Sequence, residues 1–169
     1  RIRTTLETAE GAQTDLVIEA ATEREEIIRR YYTPHRRAVE STIAALISGG
    51  GCVLHLGAHS FTDVLDGVPR EMDIGLLFDP DRPSEASFCR AWMSRLQWRS
   101  PAYRVRSNQP YLGTDDGLTT YLRTVFPVDR YAGVEIEVRQ GMIGHPHEQR
   151  AIGALLADPL PTGEGPDAR

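Results

Sequence analysis

Apolar runs and amphipathic stretches alternate along the chain, and their alternation predicts a layered α/β domain. Short apolar runs bounded by Gly, Pro or Asp are typical of buried strands, whereas apolar residues spaced three and four apart are typical of helices. The predicted strands are residues 52–54, 73–79, 103–106 and 133–138. The predicted helices are residues 22–33, 35–48, 84–97, 118–125 and 146–158. We therefore expect a mixed sheet flanked by helices.

Local signals set the ends and the buried faces of several predicted helices. Thr22 and Glu25 have the spacing of a capping box, and Pro34 disfavours helix at the residue before it, so the first helix should stop or kink there. Ser84 is predicted to cap the helix over 84–97. The expected buried faces are Val39, Ile43, Ala44, Leu46 and Ile47 in helix 35–48, and Phe88, Ala91, Trp92 and Leu96 in helix 84–97.

Size and composition are those of one globular domain. With 169 residues, of which 40% are hydrophobic and 25% charged, the chain is long enough to bury a single core. We expect residues 1–158 to form that domain and the Pro- and Gly-rich residues 159–169 to be a disordered tail. Cys52, in a predicted buried strand, and Cys89, in a predicted helix, have neither a disulfide framework nor metal-knuckle spacing. Both are therefore expected to be reduced core residues.

The charge balance restricts the kind of partner. A formal net charge of −5 provides no basic surface for nucleic acid or for an anionic membrane, which leaves small molecules or proteins. No apolar run approaches the ~20 residues that span a bilayer, and the first residues carry alternating charge rather than the apolar region of a signal peptide. We therefore expect a soluble, cytoplasmic protein that binds neither nucleic acid nor membranes.

One apolar run, Leu54–Thr62, ends in a histidine and two hydroxyl residues, and it marks the first candidate site. The strand predicted at 52–54 would stop where the polar residues begin, and ligands bind at the carboxyl ends of strands in open α/β sheets. His59 is thus a candidate metal or substrate ligand, or else an ordinary loop histidine. His55, four residues earlier, is expected to be structural.

Two carboxylates in the last predicted strand form the second candidate site. Residues i and i+2 of a strand face the same side, so Glu135 and Glu137 share one face while Val134, Ile136 and Val138 share the other. Two like charges this close raise at least one pKa when partly buried, which suits a general base or a metal ligand. The alternative is the solvent-facing side of an amphipathic edge strand.

Further polar residues follow the predicted strands. Arg70 has a guanidinium that can bind a substrate carboxylate bidentately, although it equally suits a surface ion pair. Asn108 and Tyr111 can donate to a substrate oxygen, or can simply form a turn around Pro110. His145–Glu148 has the spacing of a metal motif but lies at the start of the last helix, where a solvated helix terminus is the simpler interpretation.

In its motifs and in their order, the sequence resembles the N-formylglutamate amidohydrolase family, whose fold is like that of the zinc carboxypeptidases, a phosphorylase/hydrolase-like α/β fold. The resemblance covers roughly residues 25–142. The segments that carry it are Tyr31–Pro34, Leu54–Thr62, Arg70–Leu77, Ser107–Gly113, Asp116–Thr119 and Gly133–Val138. It implies a zinc-dependent hydrolase that cleaves the amide bond of a small N-acyl amino acid.

The resemblance also implies roles for individual residues. His59 would be the late zinc ligand, and Glu137, rather than Glu135, the general base or acid acting on zinc-bound water. Arg70 and Asn108 would hold the substrate carboxylate. These roles are chemically coherent because zinc binds neutral imidazole and lowers the pKa of its water, while a carboxylate moves the proton.

The family has an early His-Gly segment and an acidic residue that complete the metal site, and no counterpart precedes residue 25. We therefore expect this chain to be the C-terminal part of a larger domain, or to have lost the first half and tight zinc binding with it. Two alternatives remain open: a non-catalytic module that binds a carboxylate through Arg70 and Asn108, and a homo-oligomer in which a second chain supplies the missing ligands.

Overall fold

The structure, a computed structural model, describes residues 32–158 and residue 160. Its helices are α1 (Thr33–Ser48), α2 (Pro83–Arg99), α3 (Leu118–Val125) and α4 (Pro146–Ala157). Its strands are β1 (Val53–Phe61), β2 (Val64–Leu65), β3 (Val68–Pro69), β4 (Ile74–Leu77), β5 (Val105–Ser107) and β6 (Tyr131–Arg139), with a short 3₁₀ helix at Gln140–Met142. Among these helices, none combines the length and the apolar character that crossing a membrane requires.

The strands form a mixed sheet in which β6, the last strand in the sequence, is one of the two interior strands. Four strands pair in the order β1-β6-β4-β5, and β2 and β3 form a separate hairpin. β6 is parallel to β1 and antiparallel to β4, while β4 is parallel to β5. This confirms the predicted mixed sheet flanked by helices. It also shows that the carboxylates of β6 do not lie on an edge strand.

Helices cover both faces of this sheet and bury a separate apolar cluster on each. On one face, the larger cluster includes Leu56, Leu76 and Ile136 of the sheet with Trp92 of α2 and Ile152 of α4. On the other face, a smaller cluster contains residues of α1, α3, β1 and β6, namely Val39, Ile43, Val53, Leu118, Leu122 and Tyr131. Because helices cover both faces, all four residues of β4 are buried, as its near-continuous apolar sequence predicts.

Several local predictions were wrong, and each error has a physical reason. α2 begins at Pro83, so Ser84 is not its cap; proline is favoured at the first helical position because it has no N–H to satisfy. Ala91 and Leu46 face solvent, since the sheet contacts a narrower stripe of each helix than the apolar pattern suggests. Cys52 precedes β1 and is exposed, whereas Cys89 is buried in α2 as expected.

Some predictions lie outside the described residues. These are the helix beginning at Thr22 and the tail at 159–169 apart from Leu160. Within the described part, the helix predicted over 35–48 begins two residues earlier, at Thr33. The division into a domain over 1–158 and a tail stays a prediction.

Candidate functional site

The register of β1 against β6 brings the two candidate sites of the sequence together. His59 is the direct neighbour of Glu137, and Gly57 is the direct neighbour of Glu135. Because side chains at i and i+2 share a face, the imidazole and both carboxylates project from the same side of the sheet, which we call the polar face. Two segments almost eighty residues apart in the chain thus form one cluster.

His59 lies inside a strand and not in a loop after it. β1 extends to Phe61, although a strand stopping at Leu54 was predicted, because every residue of β1 has a partner in the nine-residue strand β6. The mixed apolar and polar sequence of β1 follows from its position: the polar face receives the histidines, and the opposite face receives Leu54 and Leu56. The polar residues therefore do not mark the end of the strand.

Glu137 is the most buried acid of the cluster. Glu137 is 6% exposed, and its Oε2 is buried without a hydrogen-bond partner in the described structure. The pKa of Glu137 is raised to about 7, mainly by burial and also by the nearby charge of Glu135, while Arg70 opposes both effects. A carboxyl group with this pKa can hold or release a proton near neutral pH.

Glu135 is held by the start of α3. The Thr119 hydroxyl donates to Glu135 Oε1 over 2.7 Å, and Thr119 itself is 2% exposed. A side chain placed on Gly117, the residue that precedes α3, would approach the same carboxylate oxygen to 3.1 Å. Glu135 is therefore fixed by a hydrogen bond and by the positive end of a helix dipole, whereas Glu137 keeps a free oxygen.

His59 packs over a glycine of its own strand. A Cβ placed on Gly57 would lie 3.3 Å from His59 Nε2 and 3.4 Å from Glu135 Cγ. One imidazole and two carboxylates of the polar face are the donor types that zinc accepts. Within residues 32–158 and 160, however, no three His, Cys, Asp or Glu side chains come together in a group that could hold a metal ion. The described residues fit one side of a metal site and do not complete it.

Arg70 lies beside Phe61, at the end of β1, with its guanidinium in cation–π contact with two aromatic rings. Its Cζ is 5.5 Å from the Phe61 ring centroid and 5.2 Å from that of Tyr111, and its Nη1 donates to the Tyr111 hydroxyl over 3.2 Å. The positive charge of Arg70 lowers the pKa of Glu137, so the two side chains interact electrostatically. Arg70 and Glu137 therefore belong to one site.

The other candidate arginines have different surroundings. Asp73, which is 5% exposed, forms ion pairs with Arg104 at 3.2 Å and with Arg139 at 3.0 Å. Hydrogen bonds from Arg104 lower the pKa of Asp73 against the effect of burial. Arg106 is exposed on the edge strand β5 and donates to the Val105 carbonyl. Arg104 and Arg139 are thus neutralised, and Arg70 is the better candidate for a substrate carboxylate.

Asn108 organises the loop after β5. Its Oδ1 accepts hydrogen bonds from the backbone N–H groups of Phe78, at 2.9 Å, and Gly113, at 3.2 Å. Its φ of 50° lies in the left-handed region, which asparagine tolerates better than most residues. The same loop presents Tyr111 to Arg70, so this segment forms a turn, and its part in substrate binding stays a prediction.

A buried ion pair fixes the elements around the polar face. Glu85, fully buried at the start of α2, accepts hydrogen bonds from Arg123 of α3 and from the Gly133 N–H of β6. Arg123 donates in turn to the carbonyls of Gly133 and Gly113. Neither residue was singled out in the sequence, because nothing in the local pattern shows that residues 85 and 123 meet.

Three further histidines, His55, His145 and His147, lie apart from the cluster or serve the fold. His145 and His147 are exposed at the start of α4, where Glu148 accepts from the His145 N–H over 2.9 Å, as expected for a solvated helix terminus. His55 is 1% exposed, and its Nδ1 lies 2.9 Å from the Tyr131 hydroxyl. Burial, with smaller contributions from neighbouring positive groups, lowers the pKa of His55 to about 4, so its ring is neutral at physiological pH.

Comparison with solved structures finds the same fold in longer proteins. A gene product of Agrobacterium tumefaciens is 32% identical, with a TM-score of 0.64 over 79% of this chain and 50% of that chain. The N-formylglutamate amidohydrolase of Ralstonia eutropha is 21% identical and shares the fold, with a TM-score of 0.58 over 80% of this chain and 54% of that chain. This chain therefore spans about half the length of the solved structures that it matches.

Comparison by sequence gives one match and one negative result. No curated protein matches the chain significantly. The family model of N-formylglutamate amidohydrolase matches residues 3–144, a range that contains His59, Arg70, Asn108, Glu135 and Glu137. By the extent of this match, the chain belongs to the N-formylglutamate amidohydrolase family.

Proposed function

We propose that this chain carries the proton-transferring glutamate and the carboxylate-binding side of a zinc-dependent amidohydrolase. The substrate would be a small N-acyl amino acid of the N-formyl type, cleaved at its amide bond. The observation that carries the proposal is Glu137: a carboxyl group buried at the centre of a sheet, beside His59, with one oxygen free and a pKa raised to about 7. Family membership supports the reaction class.

Glu137 has the properties that a general base needs. With a pKa near the pH of the reaction, it is ionised often enough to accept a proton from the attacking water and then acidic enough to return it to the leaving amine. Its free Oε2 is the atom that would take the proton. Glu135, held by Thr119, would act through its charge and its packing against His59.

His59 is the described residue that would bind the zinc ion, through one imidazole nitrogen. When bound, zinc would lower the pKa of water and polarise the scissile carbonyl. The ligands that complete the site would come from outside the described residues, either from residues 1–31, from a further part of the protein or from a second copy in a homo-oligomer.

Arg70 would bind the substrate carboxylate, because within the described structure it has no acidic partner. Asn108 would assist only through its Nδ2, since two backbone N–H groups already occupy its Oδ1. An Arg-carboxylate pair on one side and Glu137 on the other would hold the amide bond between them.

A second candidate function is a carboxylate-binding module without catalysis. The incomplete donor set of the described residues favours it. In that case the full chain would bind N-formyl-L-glutamate but would neither retain zinc nor hydrolyse the ligand.

A zinc titration of the full chain, followed by hydrolysis of N-formyl-L-glutamate, tests the proposal. We expect one zinc per chain by calorimetry, lost in His59→Ala and kept in His147→Ala, which removes an exposed histidine of α4. Glu137→Gln should keep zinc and lower kcat by roughly 10²–10⁴-fold, the range for a positioned general base, whereas Glu135→Gln should lower it less. Full activity in Glu137→Gln, or zinc retained by folded His59→Ala, would contradict the proposed roles.

A further inference from the structure

The guanidinium of Arg70 is enclosed by two aromatic rings that differ in their burial. Phe61, the last residue of β1, is 2% exposed and lies 5.5 Å from the Arg70 Cζ. Tyr111 is 44% exposed, lies 5.2 Å away and also accepts a hydrogen bond from Arg70 Nη1. We call these two rings the aromatic clamp. One ring is fixed by the core, and the other comes from the loop after β5.

The backbone of Arg70 is fixed as well. Its N–H donates to the Asp63 carbonyl over 2.9 Å, across the base of the β2–β3 hairpin, and Asp63 Oδ1 accepts from the Gly141 N–H over 2.8 Å. An unrestrained arginine side chain carries about 2 kcal/mol of rotamer entropy, which binding must overcome. Here part of that freedom is already lost before any ligand binds.

The clamp also decides which donors of Arg70 remain available. Both rings contact the guanidinium, and the Tyr111 hydroxyl accepts from only one of its nitrogens, Nη1. In the described part of the chain no carboxylate pairs with Arg70, in contrast to Arg104 and Arg139, which share Asp73. The result is a pre-oriented cation with free, coplanar N–H groups, which match the two oxygens of a carboxylate.

We infer that Phe61 and Tyr111 are positioning residues that hold the edge of the Arg70 guanidinium toward the site for bidentate binding of a substrate carboxylate. This inference rests on the proposed function for the location of the substrate. Tyr111 acts on Arg70 through its ring and through its hydroxyl oxygen, which accepts from Nη1. Phe61, to which the sequence assigns no function of its own, acquires one.

The test is binding of N-formyl-L-glutamate to the full chain by calorimetry, with kcat and KM wherever hydrolysis occurs. Tyr111→Leu removes the exposed ring and should raise Kd or KM roughly 5- to 10-fold with kcat nearly unchanged, whereas Tyr111→Phe keeps the ring and should raise it about 2-fold. Phe61→Leu should resemble Tyr111→Leu. Arg70→Lys keeps the charge but loses the fork, and should raise Kd at least as much.

Two controls separate positioning from general damage. Tyr121→Leu removes a ring of similar exposure that covers a different arginine, Arg36, at 5.0 Å, and should leave Kd unchanged. In an Arg70→Ala background, Tyr111→Leu should have no further effect on Kd, because the clamp acts through Arg70. N-formyl-L-glutamine amide, which has no carboxylate, should bind equally weakly to all variants.

The outcomes distinguish this inference from the proposed function. Clamp-dependent binding without hydrolysis would support the clamp and overturn the amidohydrolase. Hydrolysis with a KM that does not respond to Tyr111→Leu would support the amidohydrolase and overturn the clamp. Absence of any carboxylate binding, or an equal effect of Tyr111→Leu with and without Arg70, would also overturn the clamp.

Discussion

Gly57 is the position toward which the side chains of the polar face converge. His59 Nε2 and Glu135 Cγ both lie within 3.4 Å of the place where a Cβ would be. Contacts of 3.0–3.4 Å are tighter than nearly all real Cβ contacts, so one neighbour would have to move. Because Gly57 has no side chain, the imidazole of His59 and the side chain of Glu135 can lie this close to the sheet.

We predict that Gly57→Ala displaces His59 and Glu135 and weakens zinc binding by roughly 10-fold while the protein stays folded, because misplaced ligands lose affinity before the core is affected. Calorimetry with zinc measures the change, and circular dichroism checks the fold. Gly144→Ala is the matched control for adding a methyl group, since the only atom near a Cβ at that position, Glu148 Oε2, lies at an ordinary contact distance of 3.7 Å. Unchanged zinc affinity in Gly57→Ala would show that His59 has room to adjust.

At this scale the sequence predicts side-chain direction but not side-chain partners. A period of two was enough to place Glu135 and Glu137 on one face, because it follows from strand geometry alone. The neighbour of Glu137 could not be predicted, since it depends on the register between two distant strands. For the same reason Thr119 and Phe61, although both lie in segments that carry the family resemblance, received no role of their own.

Among the elements, the ion pair of Glu85 and Arg123 joins α2, α3 and β6. Its two side chains are almost completely buried, at 0% and 7% exposure, and Glu85 also accepts from the Asp79 N–H. Glu85 thus accepts hydrogen bonds from α3, from β6 and from the loop before α2. This pair therefore holds α3, and with it Thr119, in place against the carboxylates of β6.

We predict that Glu85→Gln destabilises the protein by about 3–5 kcal/mol, because it leaves the Arg123 charge buried without its counter-charge. Urea denaturation measures the loss. The control is Asp158→Asn, which breaks the ion pair of Arg99 with Asp158; both side chains are about half exposed, and the cost should be below about 1 kcal/mol. Equal losses in the two variants would contradict a structural role of the buried pair.

Element boundaries followed the sequence where local chemistry decides them and departed from it where packing does. α3 begins and ends at the predicted residues, Leu118 and Val125, because Gly117 precedes it and Pro127 follows soon after it. β1 is much longer than predicted because pairing with β6 extends it. Ala91 is exposed because the packing angle of α2, which no sequence pattern shows, decides which stripe is covered.

At the scale of the whole molecule, the raised pKa of Glu137 affects stability as well as chemistry. An acid that is harder to ionise in the folded state binds an extra proton there between its unfolded pKa, 4.5, and its folded pKa, about 7. Proton binding to Glu137 therefore stabilises the folded state fully below pH 4.5, and this stabilisation is lost as the pH rises through 7. A buried carboxylate of this kind lowers stability in the pH range where it is useful.

We predict that Glu137→Gln gains stability relative to the metal-free wild type as the pH rises from 4.5 to 8, by up to about 3 kcal/mol. Chemical denaturation at several pH values, in the presence of a chelator, measures the difference. The amide can change the free energy of unfolding by an amount that does not depend on pH. That amount cancels, because only the change of the difference with pH is compared. A difference that stays flat from pH 4.5 to 8 would show that Glu137 ionises normally.

The parallel pairing of β1 with β6 has a consequence for how the protein acquires its site. His55 and Tyr131, whose side chains form a hydrogen bond between these strands, are 76 positions apart, and every contact of the polar face between the two strands spans a similar loop. Such non-local pairing forms slowly, because a long loop must close before any contact is gained. During synthesis β1 leaves the ribosome long before β6. The edge of β1 that pairs with β6 therefore stays open to other chains until residue 139 has emerged. Translation speed and chaperone access over this interval, rather than intrinsic stability, should therefore limit the yield of folded protein.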